Sequence, residues 1–174
     1  SFAQVSGVAT ARDSNMVKQL FFAGLRDKMT ENYTAALTSF NKVIIADVNN
    51  DAAYFELANA NLRLERLSEA ESNIRQAIKL NPNNKWYLRL LAEVDKRTNK
   101  MPELIEVFNQ LIRIDPENDA YYFDKANAQF LSNQTEAAHK TYDEILAKFG
   151  ESSELLAAKR RLQGNKGATE SDIV

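Results

Sequence analysis

The sequence predicts an all-α solenoid, four antiparallel helix pairs stacked in order and closed by a C-terminal capping helix. Three observations predict it. With 5 glycines and 3 prolines in 174 residues, the chain has too little turn chemistry for a sheet protein. Apolar residues recur at helical spacing. Above all, the chain repeats itself with a period of about 34 residues.

Two prolines set that ruler. Leu80-Asn81-Pro82-Asn83-Asn84 and Ile114-Asp115-Pro116-Glu117-Asn118 lie one period apart and divide the chain into rows 17–50, 51–84, 85–118 and 119–152. Column 8 is small throughout, with Gly24, Ala58, Ala92 and Ala126, as the close approach of two helices requires. Column 20 holds Ala36, Ala70, Leu104 and Ala138. Column 24 holds Phe40, Ile74, Phe108 and Tyr142, and column 27 holds Val43, Ala77, Leu111 and Ile145. Column 34 reads Asn50, Asn84, Asn118 and Ser152, all side chains suited to capping the next helix.

Polar residues near columns 14–18 split each row into two helices. They are predicted at 15–30 and 33–46, 51–65 and 68–80, 85–98 and 102–113, then 119–132 and 135–148. A flexible segment, 1–14, is expected ahead of them. Pro102 falls in a first helical turn, where its missing N–H costs nothing. Gly150 ends the last pair, since glycine tolerates the positive φ of a helix stop. Residues 153–163 are apolar on one side and charged on the other, as an end cap should be. Residues 164–174 are expected to be disordered or a linker.

These columns resemble the tetratricopeptide repeat family, a 34-residue helix–turn–helix unit, across residues 15–163. The resemblance implies a right-handed superhelical solenoid that binds a peptide or protein on its concave surface. Rows two and three fit best. Val48 and Gly150 stand where the family has proline, and Leu104 replaces a small residue. Column 11, usually Tyr, is Asp27, Asn61, Asp95 and Gln129, so looser packing within each helix pair is expected. Residues 84–93 and the opening Ser1-Phe2-Ala3-Gln4 are also similar to exported repeat proteins of Gram-negative bacteria. A periplasmic or otherwise exported location is therefore expected, with the cytoplasm as the alternative; the tetrapeptide looks like the end of a secretory signal.

Columns 2, 5, 9 and 12 share one stripe of each first helix, the one that lines the concave side. It carries Phe21, Phe55, Arg89 and Phe123 in column 5, and Leu25, Asn59, Glu93 and Asn127 in column 9. Rows two and four repeat one pair, Phe55 with Asn59 and Phe123 with Asn127, in the same columns. Phe supplies apolar contact and Asn both donates to and accepts from a ligand backbone. Ordinary packing accounts for such Phe residues as readily as ligand contact. Trp86, in column 2, is expected to pack at the junction of rows two and three, and Arg89 to pair with Glu93 one turn on. The family's carboxylate clamp for chaperone tails is absent: its five places hold Phe21, Leu25, Glu56, Trp86 and Leu90, none of the required type.

Catalytic chemistry finds no footing. There is no Cys and one His, His139, predicted to face outward on a second helix, so thiolate, disulfide and ordinary zinc sites are excluded. Residues 115–119 lack the Gly and Glu that a calcium loop needs farther on, where Ala120 and Ala126 stand. Glu69 and Glu71 occupy exposed positions where nothing would raise a carboxyl pKa. With 22 basic and 24 acidic residues, no basic footprint suggests nucleic acid, and no apolar run approaches a membrane span. The expected protein is a non-enzymatic scaffold with no cofactor, binding a protein or peptide. The alternative is a structural module that self-associates as a homo-oligomer within a larger envelope protein or assembly.

Overall fold

The computed structural model describes residues 2–171, with side chains from 13 to 164. The described residues form α-helices joined by turns. They are α1 (Phe2–Met29), α2 (Tyr33–Ala46), α3 (Asp51–Arg63), α4 (Leu67–Leu80), α5 (Lys85–Arg97), α6 (Met101–Ile114), α7 (Asp119–Leu131), α8 (Thr135–Phe149) and α9 (Ser153–Ser171). They form two compact units, α1–α5 through Thr98 and α6–α9 from Asn99.

The sixteen residues of columns 8, 20, 24 and 27 are all buried. In column 8, Gly24 leaves no room for a side chain. A Cβ there would lie 2.6–2.8 Å from the Phe40 ring, itself fully buried. Column 34 caps helices. Asn50 accepts from the Ala53 amide at 3.0 Å, Asn84 from Trp86 and Tyr87 at 3.0 and 3.3 Å, and Asn118 from Ala120 at 3.1 Å. Ser152 accepts from Leu155 at 3.1 Å. Each bond satisfies an amide that the helix itself leaves without a partner. Pro102 sits in the first turn of α6, and Gly150 has φ +83 at the end of α8.

The helix ends carry a device that no glycine advertises. Column 15 is Glu31, Glu65, Asn99 and Asn133, and each has φ between 56 and 62. In rows one, two and four paired backbone bonds close the helix there. In row one, Glu31 donates to the Lys28 carbonyl and Asn32 to Asp27. This is the Schellman arrangement, which normally favours glycine.

In rows two and four, column 11 corrects the expectation of loose packing. Asn61 donates to Asn73 at 2.8 Å, and Thr141 donates to Gln129 at 2.7 Å, tying α3 to α4 and α7 to α8. Both bonds join column 11 to column 23, once in row two and once in row four. A buried amide satisfied in this way couples two helices that an aromatic would otherwise wedge together.

The two ends differ from expectation. Helix α1 begins at Phe2, so the segment expected to be flexible is helical from there on. No proline interrupts it, and lengthening an existing helix fixes one residue per added hydrogen bond. Helix α9 likewise runs past 163 to Ser171, taking in much of the expected tail. The last three residues lie outside the described ones. In α9, Leu155, Ala158 and Leu162 bury one stripe against Tyr122, Ala126, Ala138, Tyr142 and Ile145. Each such leucine contributes about 1.5–3 kcal/mol.

Candidate functional site

No residue of columns 2, 5 and 9 is buried on the first helices; each is half-buried or exposed. In α3, Phe55 and Asn59 are half-buried; in α7, Phe123 is half-buried and Asn127 exposed. In α1, Phe21 and Leu25 are half-buried. Packing explains part of each Phe. Phe21 meets Phe40 edge-on at 5.3 Å, Phe55 lies against Tyr87 at 5.0 Å, and Phe123 rests on the core beneath α9. The outer part of each ring stays open, so each both packs and presents a surface.

Within the first unit, polar contacts hold α1, α3 and α5 side by side. Lys28 bonds Glu56 at 2.9 Å, the Glu56 side chain being nearly buried and that of Lys28 40% exposed. The Tyr87 hydroxyl donates to Asp51 at 2.7 Å, and Asn81 donates to the same oxygen at 3.3 Å. Burial, followed by the bond to Asp51 and that residue's charge, pushes the Tyr87 phenol well above its ordinary value. Arg97 bonds Glu65 at 3.0 Å. Between α1 and α3 lies a cleft of about 450 Å³ lined by Leu25, Lys28, Met29, Tyr33, Asn59 and Arg63, with Glu31 and Ala60 completing its wall. Sequence reasoning missed this cleft because Lys28 and Arg63 look like ordinary charged residues at helix ends.

Two expectations fail on α5. Trp86 does not pack at a junction: it is 57% exposed. Arg89 does not pair with Glu93. Its guanidinium lies 4.9 Å from the centre of the Trp86 ring, with the Lys85 ammonium at 5.7 Å, while Glu93 bonds Arg97 at 3.4 Å. Both Glu93 partners lie four residues away, so spacing alone could not choose between them. The cation–π contact adds to Arg89's preference for the ring.

Models of the tetratricopeptide repeat match residues 51–84 and 105–162, together more than half of the chain, and the first match coincides with row two. The chain belongs to the tetratricopeptide repeat family. Solved tetratricopeptide structures share its fold. A crystal structure of MamA is 22% identical at TM-score 0.70, over 82% of this chain and 83% of that one. The first tetratricopeptide domain of Spaghetti (RPAP3), bound to the HSP90 peptide SRMEEVD, is 21% identical at TM-score 0.63, over 68% and 95%. The second such domain of human RPAP3, with the HSP70 peptide SGPTIEEVD, is 19% identical at TM-score 0.58, over 65% and 98%. No curated protein sequence matches.

Tetratricopeptide arrays are in general interaction scaffolds whose stacked repeats expose long binding surfaces. Among the described residues no group of His, Cys, Asp and Glu is arranged to hold a metal, and no helix is long and apolar enough to cross a membrane. His139 is half-buried in α8.

Proposed function

We propose that this protein is a non-catalytic scaffold that binds a peptide or protein segment on the accessible stripe of its first helices. One observation carries the reading. Phe55–Asn59 and Phe123–Asn127 recur at the same columns, half-packed and half-open, with an amide one turn beyond each ring. Packing alone requires the rings; the adjoining amides serve a ligand backbone. Solved relatives that hold chaperone peptides support the peptide class, although the clamp residues used for chaperone tails do not stand at the corresponding positions here.

The test is a selection of displayed random dodecapeptides on the intact chain and on Phe55→Ala with Phe123→Ala. The wild type should enrich a related set of sequences, and the double variant should weaken their binding about tenfold or more. Equal enrichment by a double variant whose helical spectrum is intact removes the stripe as the site.

A second reading, self-association, has its own observation. Met16, Phe22 and Met29 on α1 are 47%, 60% and 83% exposed, and Phe22 and Met29 border an apolar cleft of about 450 Å³ with Gln19, Leu25 and Arg26. Light scattering over a concentration series decides it. A strict monomer at high micromolar concentration excludes this reading.

A further inference from the structure

The first turn of α5 departs from the other capped first helices in sign and in chemistry. Helices α3 and α7 open with Asp51 and Asp119, whereas α5 opens with Lys85 and has no acid in its first turn. Beside Lys85 stands the chain's single tryptophan, more than half exposed, with the Arg89 guanidinium against its ring. Tryptophan and arginine are the residue types enriched at the energetic centre of interfaces.

The contact also prepares Arg89. A guanidinium held against an indole has already lost part of its rotamer entropy. The carboxylate one turn on from it is engaged elsewhere, Glu93 bonding Arg97. The α1–α3 cleft offers no such bias, because Lys28 is neutralised by Glu56 and Arg63 shares the wall with Glu31.

From this geometry we infer that Trp86 and Arg89 form a seat for an acidic residue of the bound segment. The carboxylate of an Asp or Glu takes the edge of Arg89, bidentately, and the apolar residue beside it lies on the open part of the Trp86 ring. This inference rests on the peptide-binding reading and gives it a chemical class: an acidic residue next to an aliphatic or aromatic one.

Because Trp86 is the only tryptophan, its fluorescence reports this seat alone. Dodecapeptides selected on the intact chain are synthesised and titrated while Trp86 emission is recorded. The expected result is winners rich in an acidic–apolar pair, with emission shifting to the blue on binding. Arg89→Glu should weaken them about tenfold or more, and Asp→Asn or Glu→Gln in the peptide should cost little further on that variant. Phe123→Ala should leave the emission change in place.

Winners without acidic enrichment, binding that leaves Trp86 emission unmoved, or affinities for Arg89→Glu within about twofold of wild type overturn the seat. If Phe55→Ala with Phe123→Ala still abolishes binding in those cases, the stripe stands and only the seat falls. A wild type that selects nothing overturns both. Labelled oligouridine that binds the wild type, shifts Trp86 emission and loses affinity in Trp86→Ala replaces the peptide with a nucleic acid and overturns the seat as proposed.

Discussion

The two units carry the same surface pair in different company. In the first, Phe55 and Asn59 are followed by α5, whose columns 2 and 5 are Trp86 and Arg89. In the second, Phe123 and Asn127 are followed by α9. Continuing the ruler into α9, those columns become Glu154 and Ala157, both exposed. The scaffold repeats, and the chemistry around the repeated pair changes from aromatic and cationic to small and acidic. A repeat array separates the two jobs: buried columns hold the helices together, while accessible columns vary at little cost in stability. Binding that depends equally on both units points to Phe and Asn, and binding confined to the first unit points to Trp86 and Arg89.

The units also differ inside, and there the expected effects are larger. The Gln129–Thr141 bond of the second unit is buried at both ends, Gln129 being 6% and Thr141 2% exposed. Its counterpart in the first unit joins buried Asn61 to half-buried Asn73, which water can reach. Thr141→Val keeps the shape and leaves the Gln129 amide buried without its donor, so it should destabilise by about 1–3 kcal/mol. Asn73→Ala lets water take the place of the lost partner and should cost about 0.5–1.5 kcal/mol. Urea unfolding of the two variants tests the ranking; equal losses would show that burial does not set the difference.

Column 3 gives the next contrast. Tyr87 stands there in α5, and Leu155 in α9, fully buried and without a proton to lose. The raised Tyr87 pKa means that the folded chain holds this proton more tightly than the unfolded chain does. Stability from this group is therefore fully present below its ordinary value of about 10 and lost as pH rises above that. Tyr142 adds a similar loss in the second unit, since burial raises it against the opposing charge of Arg161. Tyr87→Phe should cost about 1–2 kcal/mol near neutral pH, through the bond to Asp51, and should flatten only the first unit's share of the alkaline decline. Thermal unfolding followed from neutral pH to about pH 11 measures both effects.

Much of this fold was legible because its signals are local. A small residue at column 8, a large one at column 24 and an amide at column 34 each state a steric or capping need in one letter. What stayed hidden needed two positions at once. Asn61 with Asn73, and Gln129 with Thr141, read as unrelated polar residues twelve apart until the helices fold back on each other. Arg89 had Glu93 at an ideal spacing, yet the Trp86 face attracted it and Glu93 turned to Arg97. Trp86 was expected to pack at the junction of rows two and three, but an amphipathic ring can equally stay at the surface, as it does here. The candidate stripe itself was legible, since column positions fix which side of a helix is shared, but its partners and its sign were not.

Column 15 shows how a left-handed residue escapes notice when no glycine marks it, and it yields the smallest effect. The first unit uses Glu31 and Glu65 there, the second Asn99 and Asn133, all at φ near +60. An L side chain in this region meets its own backbone, and a short amide that bonds locally tolerates the conformation better than a long carboxylate does. Glu31 is the cleaner probe in the first unit, because Glu65 also holds Arg97. Exchanging the residues should move stability in opposite directions: Glu31→Asn should gain about 0.5 kcal/mol, and Asn133→Glu should lose about 0.5–1 kcal/mol. Glu31→Gly should gain little more than Glu31→Asn, because relief of the native clash is offset by the added freedom of the unfolded chain. Urea midpoints of the three variants decide the matter. Shifts of the same sign for Glu31→Asn and Asn133→Glu would mean that side-chain contacts, not backbone conformation, govern column 15.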